Sequence, residues 1–60
     1  MTYEVRLPLG RKTFTFRTAD KAEAFTLARE CASMGHGVTV WQTIGTVTTR
    51  VFRAEWMEDR

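Results

Sequence analysis

Sixty residues, with nine Lys and Arg against seven Asp and Glu, leave room for one domain and a net charge of only +2. A chain of that length buries about 60% of its unfolded surface, too little to wrap a cofactor, form a deep cleft and keep a core as well. Cys31 is the only cysteine, so an internal disulfide is excluded. Secreted domains this small usually carry several bridges, and the chain reads as cytoplasmic.

Hydrophobic residues make up 43% of the sequence, an ordinary share for a globular domain rather than a disordered one. No apolar run approaches the roughly 20 residues of a membrane span. The start, Met1 to Arg6, lacks the basic-then-apolar pattern of a signal peptide, and the chain reads as a complete small open reading frame. Ten residues are Thr, nine of them outside residues 19–34, whereas five of the six Ala lie between 19 and 32. β-Branched residues favour strands and Ala favours helix, so this division already places a helix in the middle of the chain.

Tyr3, Val5, Leu7 and Leu9 alternate with Glu4, Arg6 and Pro8, the period of a half-buried strand. Pro8 has no N–H to donate and belongs at the strand's end or against an unpaired side. Leu9-Gly10-Arg11-Lys12 supplies a turn, after which Phe14 and Phe16 alternate with Thr13, Thr15 and Arg17, completing a hairpin. Thr18 is the expected N-cap of a helix, and Asp20 and Glu23 suit the positive end of its dipole. Ala24, Phe25, Leu27, Ala28, Cys31 and Ala32 form the apolar stripe, with the alanines allowing close approach to a sheet. Gly35 is the expected residue just past the helix end.

Val38 and Val40 then alternate with Thr39 and Trp41, and Ile44-Gly45 is the expected tight turn. Pairing Thr43 with Thr46 sets Val40 opposite Thr49 and Val38 opposite Val51. Residues 54–60 read as an extension of the last strand or a short tail.

The order is β-β-α-β-β, an α+β two-layer domain with one helix covering one face of a four-stranded, mainly antiparallel sheet. The expected core is Tyr3, Val5, Leu7, Phe14, Phe16, Val38, Val40, Val47 and Val51 under the helix stripe. Two strand orders satisfy the pattern. Order 2-1-4-3 sets the first and fourth strands side by side and parallel, as in β-grasp domains, and is taken as the expectation. Order 2-1-3-4 is fully antiparallel.

No catalytic residue, metal site or cofactor is assigned. His36 and Cys31 together could form a thiolate pair, but a loop histidine beside a buried structural cysteine accounts for both. One Cys and one His cannot supply a four-ligand zinc site. Gly35 and Gly37 follow a helix rather than open one, so no phosphate loop is present. Glu55, Glu58 and Asp59 fit no cation-binding spacing.

The uncovered sheet face carries the functional expectation. By strand parity it displays Glu4, Arg6, Thr13, Thr15, Arg17, Thr39, Trp41, Thr48, Arg50 and Phe52, with Trp56 joining if the last strand runs on. Residues 3–17 and 38–53 hold Arg6, Arg11, Lys12, Arg17, Arg50 and Arg53 against Glu4 alone. Trp and Arg are enriched at binding hot spots, so Arg6, Arg17, Trp41, Arg50, Phe52 and Trp56 form the expected partner-binding set. The alternative is that Trp41 and Phe52 only stack across strands, or lie under the tail. The partner is expected to be a larger protein or ribonucleoprotein complex, and no membrane. Nucleic acid held by aromatic platforms and arginines is the second class. A homodimer, which would add buried area to a small core, is the third.

Residues 16–28 read F-x-T-x-x-x-A-x-x-F-x-x-A, and Gly37-Val38-Thr39-Val40 follows. This stretch resembles small accessory proteins encoded by phages and plasmids, of the anti-CRISPR kind, over residues 14–40. The resemblance implies a small non-enzymatic inhibitor that binds and blocks a larger host complex. It assigns no site residue. Many such inhibitors are acidic nucleic-acid mimics, and the basic sheet of this chain departs from them.

Overall fold

The computed structural model describes residues 1–54. The elements run β1 (Thr2–Leu9), β2 (Lys12–Thr18), α1 (Lys21–Ser33), β3 (Val38–Ile44) and β4 (Val47–Ala54). The α+β arrangement expected from the sequence is therefore present: α1 packs on one face of a four-stranded sheet.

The strand order is β2-β1-β3-β4, with every pairing antiparallel. This corrects the expected order, in which β4 lay beside β1. Side-chain content supplies the reason. A central strand under the helix must be apolar on its inner face, and β3 offers Val38 and Val40, which are fully buried. β4 presents Val47, Thr48, Thr49, Arg50 and Val51, all exposed, and so takes an edge.

Both hairpins close through two-residue loops, Gly10-Arg11 between Leu9 and Lys12, and Gly45-Thr46 between Ile44 and Val47. Gly10 (φ 64°) and Gly45 (φ 62°) hold the first loop position, and no non-glycine residue among the described ones has positive φ. Glycine first, then a residue of ordinary φ, is the signature of a turn that matches the right-handed strand twist. The second loop lies one residue later than Ile44-Gly45, because glycine is needed at its first central position.

That shift corrects the β3–β4 register. Thr43 pairs with Thr48, and Trp41 with Arg50. A bulge at Val51 then brings Val40 opposite Phe52 and Val38 opposite Ala54. The extra residue reverses which side chains point inward. Phe52 joins the helix side and Val51 (39% exposed) leaves the core predicted for it, while Val47, opposite Ile44 before the bulge, keeps its face but lies at the hairpin end and is 63% exposed. Phe14, on edge strand β2, is likewise 53% exposed rather than buried.

The core consists of Tyr3, Val5, Val38 and Val40 beneath Ala24 and Ala28, whose exposure is 0%. Leu7, Phe16, Phe25, Leu27, Cys31, Ala32, Phe52 and Ala54 pack around it. Phe25 meets Tyr3 edge-on at 6.4 Å between ring centroids, and Phe52 at 5.9 Å. Pro8 lies beyond Arg6–Thr39, the last β1–β3 partner pair, where its missing N–H breaks no ladder bond.

The N-cap is Asp20 rather than Thr18: its carboxylate accepts from the N–H groups of Ala22 and Glu23. Thr18 braces the entry instead, its hydroxyl accepting from the Asp20 N–H and donating to Glu23. At the other end Gly35 (φ 87°) donates to Ala32 O, and His36 N–H donates to Cys31 O at 3.1 Å. This pair of bonds is the Schellman motif. No helix among the described residues is long and apolar enough to cross a membrane.

Candidate interaction surface

Residue alternation on four antiparallel strands sorts the open-face side chains into rows. One row crosses the whole sheet as Arg17, Glu4, Trp41 and Arg50, because Glu4 pairs with Arg17 and Trp41, and Trp41 with Arg50. The next row is Thr15, Arg6, Thr39 and Arg53. Beyond the first row lie Thr2, Thr43 and Thr48, with the last two hydroxyls 3.0 Å apart.

Contacts between the rows tie the cluster together. Glu4 accepts from Arg6 Nε on its own strand and from Arg17 Nε at 3.1 Å on β2. The Arg6 guanidinium carbon lies 4.7 Å from the centroid of the Trp41 ring. The indole Nε1 of Trp41 donates to Thr39 Oγ1 at 3.0 Å, which fixes the ring along β3. The chain Arg17–Glu4–Arg6–Trp41–Thr39 is thus connected by hydrogen bonds, ion pairs and one cation–π contact.

Glu4 is the hub. Its side chain is 16% exposed, against 42% for Arg6 and 74% for Arg17. The hydrogen bond from Arg6 is the main cause that holds its carboxyl below the ordinary glutamate value. Desolvation opposes that, and Arg17 adds to it. The cluster therefore keeps Glu4 ionised, yet Arg6, Arg17, Arg50 and Arg53 outnumber it on this face. A shallow hollow of about 360 Å³, lined by Thr2, Glu4, Arg17, Thr43 and Thr48, opens beside it.

Of the residues expected to bind a partner, Arg6, Arg17, Trp41 and Arg50 come together on this face. Phe52 does not: the bulge turns it inward onto Phe25. Trp56 lies outside the described residues. Arg53, which strict alternation from Val47 and Val51 would send inward, stands opposite Thr39 on the open side. The signal for both changes is the adjacent apolar pair Val51-Phe52, which interrupts the period of two.

Cys31 is half-buried against the core, and the contact from His36 runs to its backbone carbonyl. Among the described residues no three His, Cys, Asp or Glu side chains converge in a way that could hold a metal ion. Comparison with known protein families, with curated proteins and with solved structures finds no match. The functional reading consequently rests on the geometry of this face.

Proposed function

We propose that this chain is a non-enzymatic protein-binding module that docks a larger protein or ribonucleoprotein complex through the open face of its sheet. The observation that carries the reading is the Arg17–Glu4–Arg6–Trp41 chain. It holds hot-spot residue types in a fixed arrangement on a face that no described element covers. Side chains ordered before binding lose less entropy on docking, so such a cluster converts more of its contact energy into affinity. Arg50 and Arg17, at the two ends of the row, suit acidic groups on the partner. An inhibitor of phage or plasmid origin that blocks a host complex fits this reading. The support is the small size and the resemblance over residues 14–40.

Nucleic acid is the second reading, supported by the four arginines of the face. Stacking argues against it. The face offers one aromatic ring among the described residues, and Arg6 already lies over that ring. Base platforms need free ring surface.

The test is capture of partners from host lysate by the tagged protein, with and without nuclease, alongside a Trp41→Ala/Arg50→Glu variant. A partner that survives nuclease and is lost with the double variant supports the proposal. A nuclease-resistant partner retained by the variant removes the open face as the contact. Partners that vanish with nuclease, and affinity that falls steeply with salt, transfer the site to nucleic acid.

A further inference from the structure

The two edges of the sheet are unlike. β4 carries Arg50, Arg53 and the Val51 bulge, devices that discourage strand addition. β2 has no bulge, and its two cations, Lys12 and Arg17, flank a regular, uncharged run of Thr13, Phe14, Thr15 and Phe16. We infer that β2 is a self-association edge, pairing antiparallel with β2 of a second copy about a two-fold axis at Thr15.

Register decides which backbone groups are available. The two-residue loop makes Leu9–Lys12 a hydrogen-bonded pair, and every second pair after it, Leu7–Phe14 and Val5–Phe16, is bonded as well. The N–H and C=O groups of Thr13, Thr15 and Arg17 therefore point away from β1, off the edge. Centring the two-fold on Thr15 sets Thr13 opposite the second copy's Arg17 and Thr15 opposite its counterpart. All of those outward groups are then paired, and the two sheets become one continuous sheet.

The side chains are complementary in the same register. On the helix side Phe14 falls opposite the second copy's Phe16. The exposed ring of Phe14 lines an apolar groove between β2 and α1, floored by Phe16 and Leu27. The rim of that groove is acidic, with Asp20, Glu23 and Glu30 and no Lys or Arg among its described lining residues. Lys12 falls opposite the second copy's Thr18, whose hydroxyl is bonded to Glu23. Each copy thus delivers a cation to the acidic end of the other's groove. A C2 interface requires this kind of self-complementarity. The inference does not rest on the open-face proposal: it uses an edge and the helix-side groove, and of the Arg17–Glu4–Arg6–Trp41 cluster only Arg17 lies at the seam.

The test is sedimentation velocity of the full chain up to roughly millimolar concentration, because contacts below about 1,200 Å² lie at the weak end of the affinity range. A reversible monomer–dimer equilibrium is expected. Thr15→Pro removes an outward N–H without breaking the hairpin, and is expected to abolish the dimer with far-UV circular dichroism unchanged. Lys12→Glu, on an exposed side chain, is expected to weaken it about tenfold. Adding Glu23→Lys to Lys12→Glu is expected to recover the loss. A monomer at every concentration overturns the inference. So does a dimer that withstands both Thr15→Pro and Lys12→Glu, or one lost instead in Trp41→Ala, which would put the interface on the open face.

Discussion

The guanidinium of Arg6 rests 4.7 Å from the ring centre of Trp41, although the two residues are 35 positions apart and sit on different strands. β1 and β3 are neighbours, and the partner of Arg6 is Thr39 while that of Trp41 is Glu4, so Arg6 and Trp41 meet on the diagonal. Diagonal neighbours on one sheet face lie within reach of long and aromatic side chains. The same guanidinium also donates to Glu4, which makes Arg6 the link between the charged and aromatic parts of the open face.

That link is measurable. A double-mutant cycle between Arg6→Ala and Trp41→Leu, read by urea denaturation, is expected to give a coupling of about 0.5–1 kcal/mol, the range for a solvent-exposed cation–π pair. Arg6→Lys keeps the charge but loses the planar fork that serves Glu4 and the indole together, so most of the coupling is expected to disappear. Coupling indistinguishable from zero would mean that the ring is held by Thr39 alone.

Glu4 gives the face a pH dependence with a definite sign. Arg6, and then Arg17, hold its folded-state pKa below the ordinary value. A group with a depressed pKa contributes stability in full above its unfolded-state pKa. That contribution is lost as pH falls through the folded-state value. Wild type is therefore expected to exceed Glu4→Gln in stability at neutral pH. The gap closes in acid, below the ordinary glutamate range. Urea midpoints of both proteins across a pH series, with a carboxyl-carbon NMR titration of Glu4, measure this. A gap that stays constant through the acid range would remove Glu4 as its source.

What the sequence disclosed and what it withheld divide along physical lines. Period-two alternation made β1 and β2 legible, and Gly10 marked their turn. The alanine stripe made α1 legible, including the close approach at Ala24 and Ala28. Alternation reports which face a residue occupies, but not which strand lies beside it. With β4 next to β1, Trp41 would have stood away from Arg6, so the contact at the centre of the candidate site was not legible. The Val51 bulge was also hidden in a strand read as uninterrupted, and it moved Phe52 and Arg53 to opposite faces. Thr18 and Asp20 both offer side-chain oxygens before the helix. Only the backbone path selects Asp20 as the cap.

The division of labour at that cap predicts unequal costs. Asp20→Ala removes the acceptor for two first-turn N–H groups, and is expected to cost about 1 kcal/mol, within the range for lost N-caps. Thr18→Ala removes a brace whose partner, the Asp20 N–H, remains able to reach water, and is expected to cost less than half as much. Thermal denaturation of the two variants separates them. A larger loss for Thr18→Ala would mean that its bond to Glu23 anchors the helix start more than the cap does.

The helix–sheet contact is built on small residues, and it is expected to tolerate no growth. Ala24 and Ala28 have no exposed surface and face Tyr3, Val5, Val38 and Val40. Ala28→Leu must lift the helix or force side chains off their rotamers, at about 1–3 kcal/mol. That is a large fraction of what a 60-residue core supplies, which is rarely more than about 3–5 kcal/mol. Ala22→Leu, at an exposed position of the same helix, makes the same change in volume without entering the contact. It is expected to leave the urea midpoint nearly unchanged. Equal effects from the two variants would show that α1 is not seated through its alanines, and that Phe25 and Leu27 hold it from the margins.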